Sequence, residues 1–313
     1  MAVDFDEEAT YDIVVIGGGL AGTIAAIAAA RSGCSVALVQ DRPVLGGNSS
    51  NEVRVGVTGA EAAGNNRWAR ETGIIEELRR ECAYRHCLPR GNGSPRPAWD
   101  WVLWEWVTRE PNITLYLNTP AHKAVMVSPG RIAGIVADQI TTERTVRLNG
   151  TMFIDCSGDG EVAADAGAEF RMGRESRHEF GEFRAPEVPD DLVLCPSLLF
   201  SAHDEGKPVK FVRPPWARDF PTDESLEPMR DHGNIRAGYF WIEYGGILTR
   251  SRTPSRYAMS SYASSSAFGT ISRTTATTAR RTTRWTGSAR FWASASPDGS
   301  WETTYSRSRI SRS

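Results

Sequence analysis

Asp12-Ile13-Val14-Val15-Ile16-Gly17-Gly18-Gly19-Leu20-Ala21-Gly22 reads as a buried strand that runs into a glycine turn and the start of a helix. An alanine-rich run through Ala25, Ala26 and Ala30 continues the helix, and Ser35-Val36-Ala37-Leu38-Val39-Gln40-Asp41 supplies a second strand. Strand, turn, helix and strand within roughly thirty residues make a βαβ unit whose turn suits a dinucleotide diphosphate. Each glycine has its own task. Gly17 allows the tight turn, Gly19 lets the backbone approach phosphate with no Cβ in the way, and Gly22 lets helix and strand pack closely. The amides at the helix N-terminus then face the anion, and the helix dipole favours its charge. An ordinary strand-turn-helix with convenient glycines is the bland alternative, and the complete βαβ context weighs against it. The position that normally carries a ribose-binding carboxylate is Gln40, with Asp41 beside it. A glutamine amide also hydrogen-bonds a ribose hydroxyl.

Outward from this unit, Asp41-Arg42-Pro43-Val44-Leu45-Gly46-Gly47-Asn48-Ser49-Ser50 places exposed amides and short polar side chains at the sheet edge, where a cofactor passes. Residues 13–30 are apolar enough to imitate a signal peptide or a membrane span. The segment before them carries Asp4, Asp6, Glu7 and Glu8, and glycines break the run, so it is expected to be a buried strand and helix of a soluble protein. With 313 residues, 40% of them hydrophobic, and a formal net charge of −2, the chain can form one large or two smaller cores. Neither nucleic acid nor an acidic membrane is expected as a partner.

Cys34, Cys82, Cys87, Cys156 and Cys195 are odd in number and irregular in spacing, which fits free thiols in a cytoplasmic protein. Cys82, His86 and Cys87 lack a fourth ligand, so no metal site is expected. Helical spacing runs from Arg67 to Cys82 through Trp68, Ile74, Ile75 and Leu78, and again from Trp99 to Val107. Trp101, Trp104 and Trp106 are assigned to core packing rather than to an aromatic binding platform. Strands are expected at Asn112–Leu117, Ala124–Val127 and Ile132–Ala137, with Pro129-Gly130 turning between the last two. A buried strand at Thr151–Cys156 meets a second glycine turn, Ser157-Gly158-Asp159-Gly160, which opens a helix over Glu161–Ala166.

The GGGLAG fingerprint, Pro43-Val44-Leu45-Gly46-Gly47-Asn48, and Phe153-Ile154-Asp155-Cys156-Ser157-Gly158-Asp159-Gly160 occur together, with Ala166-Gly167-Ala168 and Met172-Gly173-Arg174-Glu175 beyond. The set resembles the bacterial FAD-dependent oxidoreductases of the glutathione-reductase-like flavoprotein superfamily, from about Tyr11 to Leu248. The resemblance implies FAD, which the fingerprint alone does not separate from NAD. It places the diphosphate on Gly17, Gly19 and Gly22, and the adenosine ribose at Gln40 and Asp41. Gly46, Gly47, Asn48 and Ser49 would border the cofactor, backbone near Ala121 would touch adenine, and the Ser157-Gly158-Asp159 turn would pass close by. Flavin-mediated hydride or electron transfer to an unidentified small-molecule substrate is the implied activity. No catalytic residue announces itself. Arg171, Arg174, Glu175, Arg177 and His178 form a charged cluster able to hold an anion or act on a proton, though a solvated surface is the better account of each.

The expected fold is α/β. A flexible N-terminus (1–10) precedes a Rossmann-like FAD-binding domain (11–175) with a helical insertion at about 60–110. A partial, proline-rich substrate or cap region (176–248) follows, with strands near Leu192–Ser201 and Tyr239–Tyr244. From Thr249 onward the chain is crowded with Ser, Thr, Arg and Ala, has no Lys, and has only Asp298 and Glu302 as acids. So few aliphatic residues do not offset roughly 1–2 kcal/mol per residue of backbone ordering, and the tail is expected to be disordered. Its abrupt change of composition fits a frameshift product that has lost the C-terminal part of the fold and holds FAD weakly or not at all. Two alternatives stand beside the flavoprotein. One is a non-enzymatic nucleotide-binding protein whose Arg/Ser-rich tail contacts nucleic acid, and the other a nicotinamide-only dehydrogenase. The oligomeric state is not legible.

Overall fold

The computed structural model describes residues 5–53, 55–57, 59, 69–86 and 97–193, together with three short strands, Phe200–His203, Ser288–Phe291 and Ser308–Arg309. By contact density the chain divides into Met1–Phe170 and Arg171–Ser313, a few residues before the boundary expected at 175.

The first unit is built on one six-stranded sheet. Its strands are β1 (Glu7–Ile16), β2 (Val36–Val39), β3 (Ile113–Tyr116), β4 (Ala121–Ser128), β5 (Arg131–Gln139) and β6 (Arg144–Asp155), in the spatial order β3-β2-β1-β6-β5-β4. β3, β2, β1 and β6 run parallel, with Val15 opposite both Leu38 and Ile154. β4 and β5 add an antiparallel edge. Period-2 alternation along β1 divides its side chains between two cores. Val15 joins Leu38, Leu45, Leu78 and Leu103 on the side of helices α1 (Leu20–Arg31), α2 (Ile74–His86) and α3 (Pro97–Thr108). Val14 and Ile16 join Val39, Ile135, Leu148 and Val162 of the short helix α4 (Glu161–Asp165). All four residues of β2 are buried, as expected of a parallel strand covered on both faces. The fold is therefore α/β with a Rossmann-like, parallel-rich sheet.

Several expectations need adjustment. α2 begins at Ile74, directly after Gly73 at φ +70°, rather than at Arg67; Arg67 and Trp68 lie outside the described residues. β1 starts at Glu7, inside the N-terminus expected to be flexible over 1–10, and β6 at Arg144, because their outer halves pair with each other from Glu7 opposite Val146. Those halves carry Arg, Glu and Asn, so only inter-strand pairing reveals them. Of the four tryptophans in α3, Trp99 and Trp106 are buried, whereas Trp101 and Trp104 are 48% and 47% exposed. Positions 101 and 104 share the helix face opposite Val102, Leu103 and Trp106, and the Arg85 guanidinium lies 5.2 Å from the Trp101 ring centre. Trp101 and Trp104 are thus not core residues.

In the second unit, α5 (Arg177–Phe180) is a single turn, and Arg174 pairs with Asp190 through both backbone and side chains. β7 (Phe200–His203), β8 (Ser288–Phe291) and β9 (Ser308–Arg309) form a three-stranded antiparallel sheet. Leu192 is not in a strand, and Phe200–His203 overlaps the strand expected near Leu192–Ser201 at its end; residues 194–199 lie outside the described residues. Two of these strands fall within the stretch expected to be disordered. These strands are joined in antiparallel register through main-chain hydrogen bonds. The rest of that tail, and the strand expected at Tyr239–Tyr244, lie outside the described residues, as do Cys87 and Cys195.

Candidate functional site

At the C-terminal ends of β1, β2 and β6, the place where parallel α/β sheets bind ligands, a cavity of about 770 Å³ opens within the first unit. Its wall is made by three turns. The first, Gly17-Gly18-Gly19, leaves β1 and enters α1. Gly17 has φ +95°, and a Cβ there would lie 2.3 Å from the Cys156 carbonyl oxygen, so both conformation and space demand glycine. At Gly22 a Cβ would lie 1.9 Å from the Gly17 carbonyl oxygen, which makes it the closest helix-to-strand approach of the turn. Gly19 differs in kind. Its φ is an ordinary −59°, a Cβ there meets nothing within 4 Å, and it lines the cavity. The emptiness beside Gly19 is cavity volume that a side chain would occupy. No side chain caps α1, so the amides of its first turn keep their donors for a ligand.

The second turn is a 3₁₀ segment, Gly47–Ser49, preceded by Gly46 at φ +104°. It is fastened to the first turn by the Gly46 N–H donating to the Gly18 carbonyl at 2.8 Å. α3 holds it from behind. The Trp99 indole N–H donates to Ser49 Oγ at 3.1 Å, Ser49 Oγ donates to the Gly46 carbonyl at 2.8 Å, and Asp100 accepts from the Asn51 N–H at 2.9 Å. Sequence reasoning placed α3 only in the core. A buried tryptophan whose N–H must find an acceptor was the available signal.

The third turn, Ser157–Gly160, is organised by Asp155 at the end of β6. One carboxylate oxygen accepts from the Ser157 N–H at 2.9 Å and its hydroxyl at 2.6 Å, and the other accepts from the Ala163 N–H at 2.8 Å. Burial raises the Asp155 pKa, but these hydrogen bonds to the charged form outweigh it and hold the group below the usual carboxylate range. Next to it, burial pushes the Cys156 thiol up, with the Asp155 charge adding to the effect. Cys156 is thus held as a neutral thiol at the cavity wall.

Of the residues expected to hold a cofactor, Gly17, Gly19, Gln40, Asp41, Gly46, Gly47, Asn48, Ser49, Ala121, Ser157 and Gly158 line this one cavity. Gly22 and Asp159 do not; Gly22 serves packing behind the turn. Gln40 requires a correction. It is 3% exposed, and its amide is engaged with main chain: Oε1 accepts from the Gly18 N–H at 2.7 Å and Nε2 donates to the Val44 carbonyl at 3.0 Å. It is placed to brace the wall rather than to reach out to a ribose. Asp41 is the exposed carboxylate beside it. Arg42, ion-paired to Glu52 at 2.9 Å, and Thr119 also line the cavity and were missed, because a loop residue's direction is not encoded in local periodicity.

Three residues of the charged cluster in the second unit are paired locally. Arg171 bonds to Glu179, Arg174 to Asp190, and His178 lies 3.9 Å from Glu187. Among the described residues there is no group of three metal-ligating side chains, and no helix is long and apolar enough to cross a membrane.

The model of a family described as FAD dependent oxidoreductase matches residues 12–308. The chain belongs to this family. The matched span passes Leu248, where the resemblance read from the sequence ends. Members of the FAD dependent oxidoreductase family are flavoproteins, and the cavity fits that cofactor: a Cβ-free cradle at Gly19 adjoins unbonded helix amides and a second glycine turn. Among curated proteins, the chain is similar to an NADH:fumarate oxidoreductase of Klebsiella pneumoniae (strain 342), 36% identical over 88 residues. That stretch is 28% of this chain and 9% of the Klebsiella protein, so the chain spans a small part of that relative's length. Among solved structures it is similar to a geranylgeranyl bacteriochlorophyll reductase-like protein from Thermoplasma acidophilum, with 22% identity and a TM-score of 0.36 over 52% of this chain and 43% of that one. It is also similar to THI4 from Thermovibrio ammonificans, with 15% identity and a TM-score of 0.37 over 57% of this chain and 76% of that one.

Proposed function

We propose that this chain holds FAD in the cavity at the ends of β1, β2 and β6 and acts as an oxidoreductase on a small-molecule substrate. The observation that carries the placement is the open space beside Gly19, flanked by the free amides of the α1 first turn. There the main chain of Gly19 to Ala21 receives the diphosphate, and the α1 dipole offsets part of its charge. Asp41 accepts from the adenosine ribose hydroxyls, and the backbone at Ala121 borders the adenine. The Gly46–Ser49 turn and the Ser157-Gly158 turn orient the remainder of the cofactor.

When bound, the flavin supplies the hydride or electron transfer. The protein's part is binding, orientation and exclusion of water. Cys156, held neutral, adds no charge near the diphosphate. The weak likeness to an NADH:fumarate oxidoreductase supports the oxidoreductase class.

Visible absorbance of the purified chain before and after addition of FAD and removal of unbound cofactor tests the proposal. Flavin bands that stay with the protein in about one-to-one ratio are the expected result, in place of the weak or absent binding expected of a frameshift product. A colourless protein under both conditions overturns it and leaves the nicotinamide-only reading to be tested by NAD titration.

A further inference from the structure

The side chain of Gln40 bridges two of the three turns that wall the cavity, and its chemistry is specific to an amide. Oε1 takes the proton of the Gly18 N–H, while Nε2 gives one to the Val44 carbonyl. The main chain of the same residue donates to the Tyr116 carbonyl and accepts from the Thr119 N–H, both at 2.8 Å. A carboxylate at this point satisfies Gly18 but meets the Val44 carbonyl oxygen with no proton between them. Only an amide, or a protonated acid, serves both partners.

We propose that Gln40 is a positioning residue, a neutral strut that fixes the spacing between the Gly17–Gly19 turn and the Val44–Ser49 turn, and so sets the width of the diphosphate cradle independently of pH. Its part in cofactor binding rests on the FAD placement proposed above; its part in holding the two turns does not. The charged and titratable groups near it are few. Asp41 follows it, Arg42 is paired with Glu52, and Tyr116 of β3 meets it through its main-chain carbonyl while its hydroxyl is taken up by Tyr11 at 2.8 Å. The first turn of α1 carries no ionisable side chain.

The test is Gln40→Glu, with Gln40→Leu as the reference that cannot titrate. A buried glutamic acid facing a carbonyl has its folded pKa raised, so the neutral form completes the strut. Its contribution is present below the unfolded value of about 4.3 and is lost as pH rises through the folded value. Thermal melting without FAD is therefore expected to place Gln40→Glu near the unsubstituted protein at pH 4 and several degrees below it at pH 8. Gln40→Leu should show the same deficit at both. FAD binding should weaken in parallel, by about tenfold at pH 8 for Gln40→Glu.

Folding of Gln40→Glu at pH 4 but not at pH 8 is the same result in stronger form. A deficit that does not change with pH, or no deficit, overturns the proposal. So does rapid hydrogen exchange of the Gly18 amide in the unsubstituted, FAD-free protein. Because melting and exchange are read without cofactor, failure of the unsubstituted protein to take up FAD overturns the functional proposal alone.

Discussion

Two glycines three residues apart, Gly19 and Gly22, make opposite demands, and substitution separates them. Gly22→Ala forces its Cβ against the Gly17 carbonyl at 1.9 Å, so the strand-to-helix packing must open. The expected cost is roughly 1–3 kcal/mol of unfolding free energy, the range of overpacked sites. The Cβ of Gly19→Val meets no protein atom within 4 Å and the residue keeps an ordinary φ, so urea unfolding should shift by no more than about 0.5–1 kcal/mol, mostly from β-branching next to the helix start. Its side chain enters the cradle, and FAD retention should fall at least about tenfold, the effect of losing one charged hydrogen bond. A Gly19→Val variant that binds FAD as tightly as the unsubstituted protein would remove the diphosphate from this turn. These glycines were legible in the sequence because their spacing follows from local chemistry. Gln40 was only half legible: its place at the end of β2 was clear, but its hydrogen-bond partner Val44 sits in a turn whose path no periodicity predicts.

Among the elements, α3 links core and site. Leu103 is fully buried in the core beneath α1, and its Cδ1 is the nearest atom, at 2.8 Å, to where a Cβ on Gly46 would stand. Trp99 and Asp100, at the start of the same helix, hold Ser49 and Asn51 of the second cavity turn. Leu103→Ala should cost about 2–5 kcal/mol by cavity formation, with loss of helix and sheet signal together in a denaturant titration. Trp99→Phe keeps most of the apolar area but leaves Ser49 Oγ without its donor, so a loss of about 1 kcal/mol is expected. Its sharper consequence is at the cavity: with the 3₁₀ turn loosened, FAD should dissociate faster while the overall fold persists. Stopped-flow release of FAD that is unchanged in Trp99→Phe would confine α3 to a packing role. The helix itself is plain in the sequence from its apolar spacing. The Trp99–Ser49 contact is not, since it spans fifty residues of chain and depends on how α3 crosses the sheet.

Across the molecule, the βαβ core, the β4–β5 turn and the last strand before the Ser157 turn were readable because hydrophobic alternation and glycine turns are local signals. The outer halves of β1 and β6 and the β7–β9 pairing were not, because polar strands are selected by their partners. Global stability should carry the mark of one of these joints in its pH dependence. Asp155 has its folded pKa lowered, so its contribution is present above the unfolded value of about 3.9 and lost as pH falls through the folded value. Asp155→Asn keeps an acceptor for Ser157 but turns an amide N–H toward the Ala163 N–H. At pH 7 urea unfolding should therefore show a loss of about 0.5–1.5 kcal/mol, the cost of a half-buried hydrogen bond replaced by two facing donors. On acidification the unsubstituted protein surrenders the same hydrogen bonds as its carboxylate is protonated, whereas the asparagine does not titrate. The two stability curves should converge below about pH 4. Curves that stay parallel down to pH 3 would show that Asp155 does not hold the Ser157 turn as a carboxylate. The acid sensitivity of the chain would then belong to its surface ion pairs, such as Arg174 with Asp190.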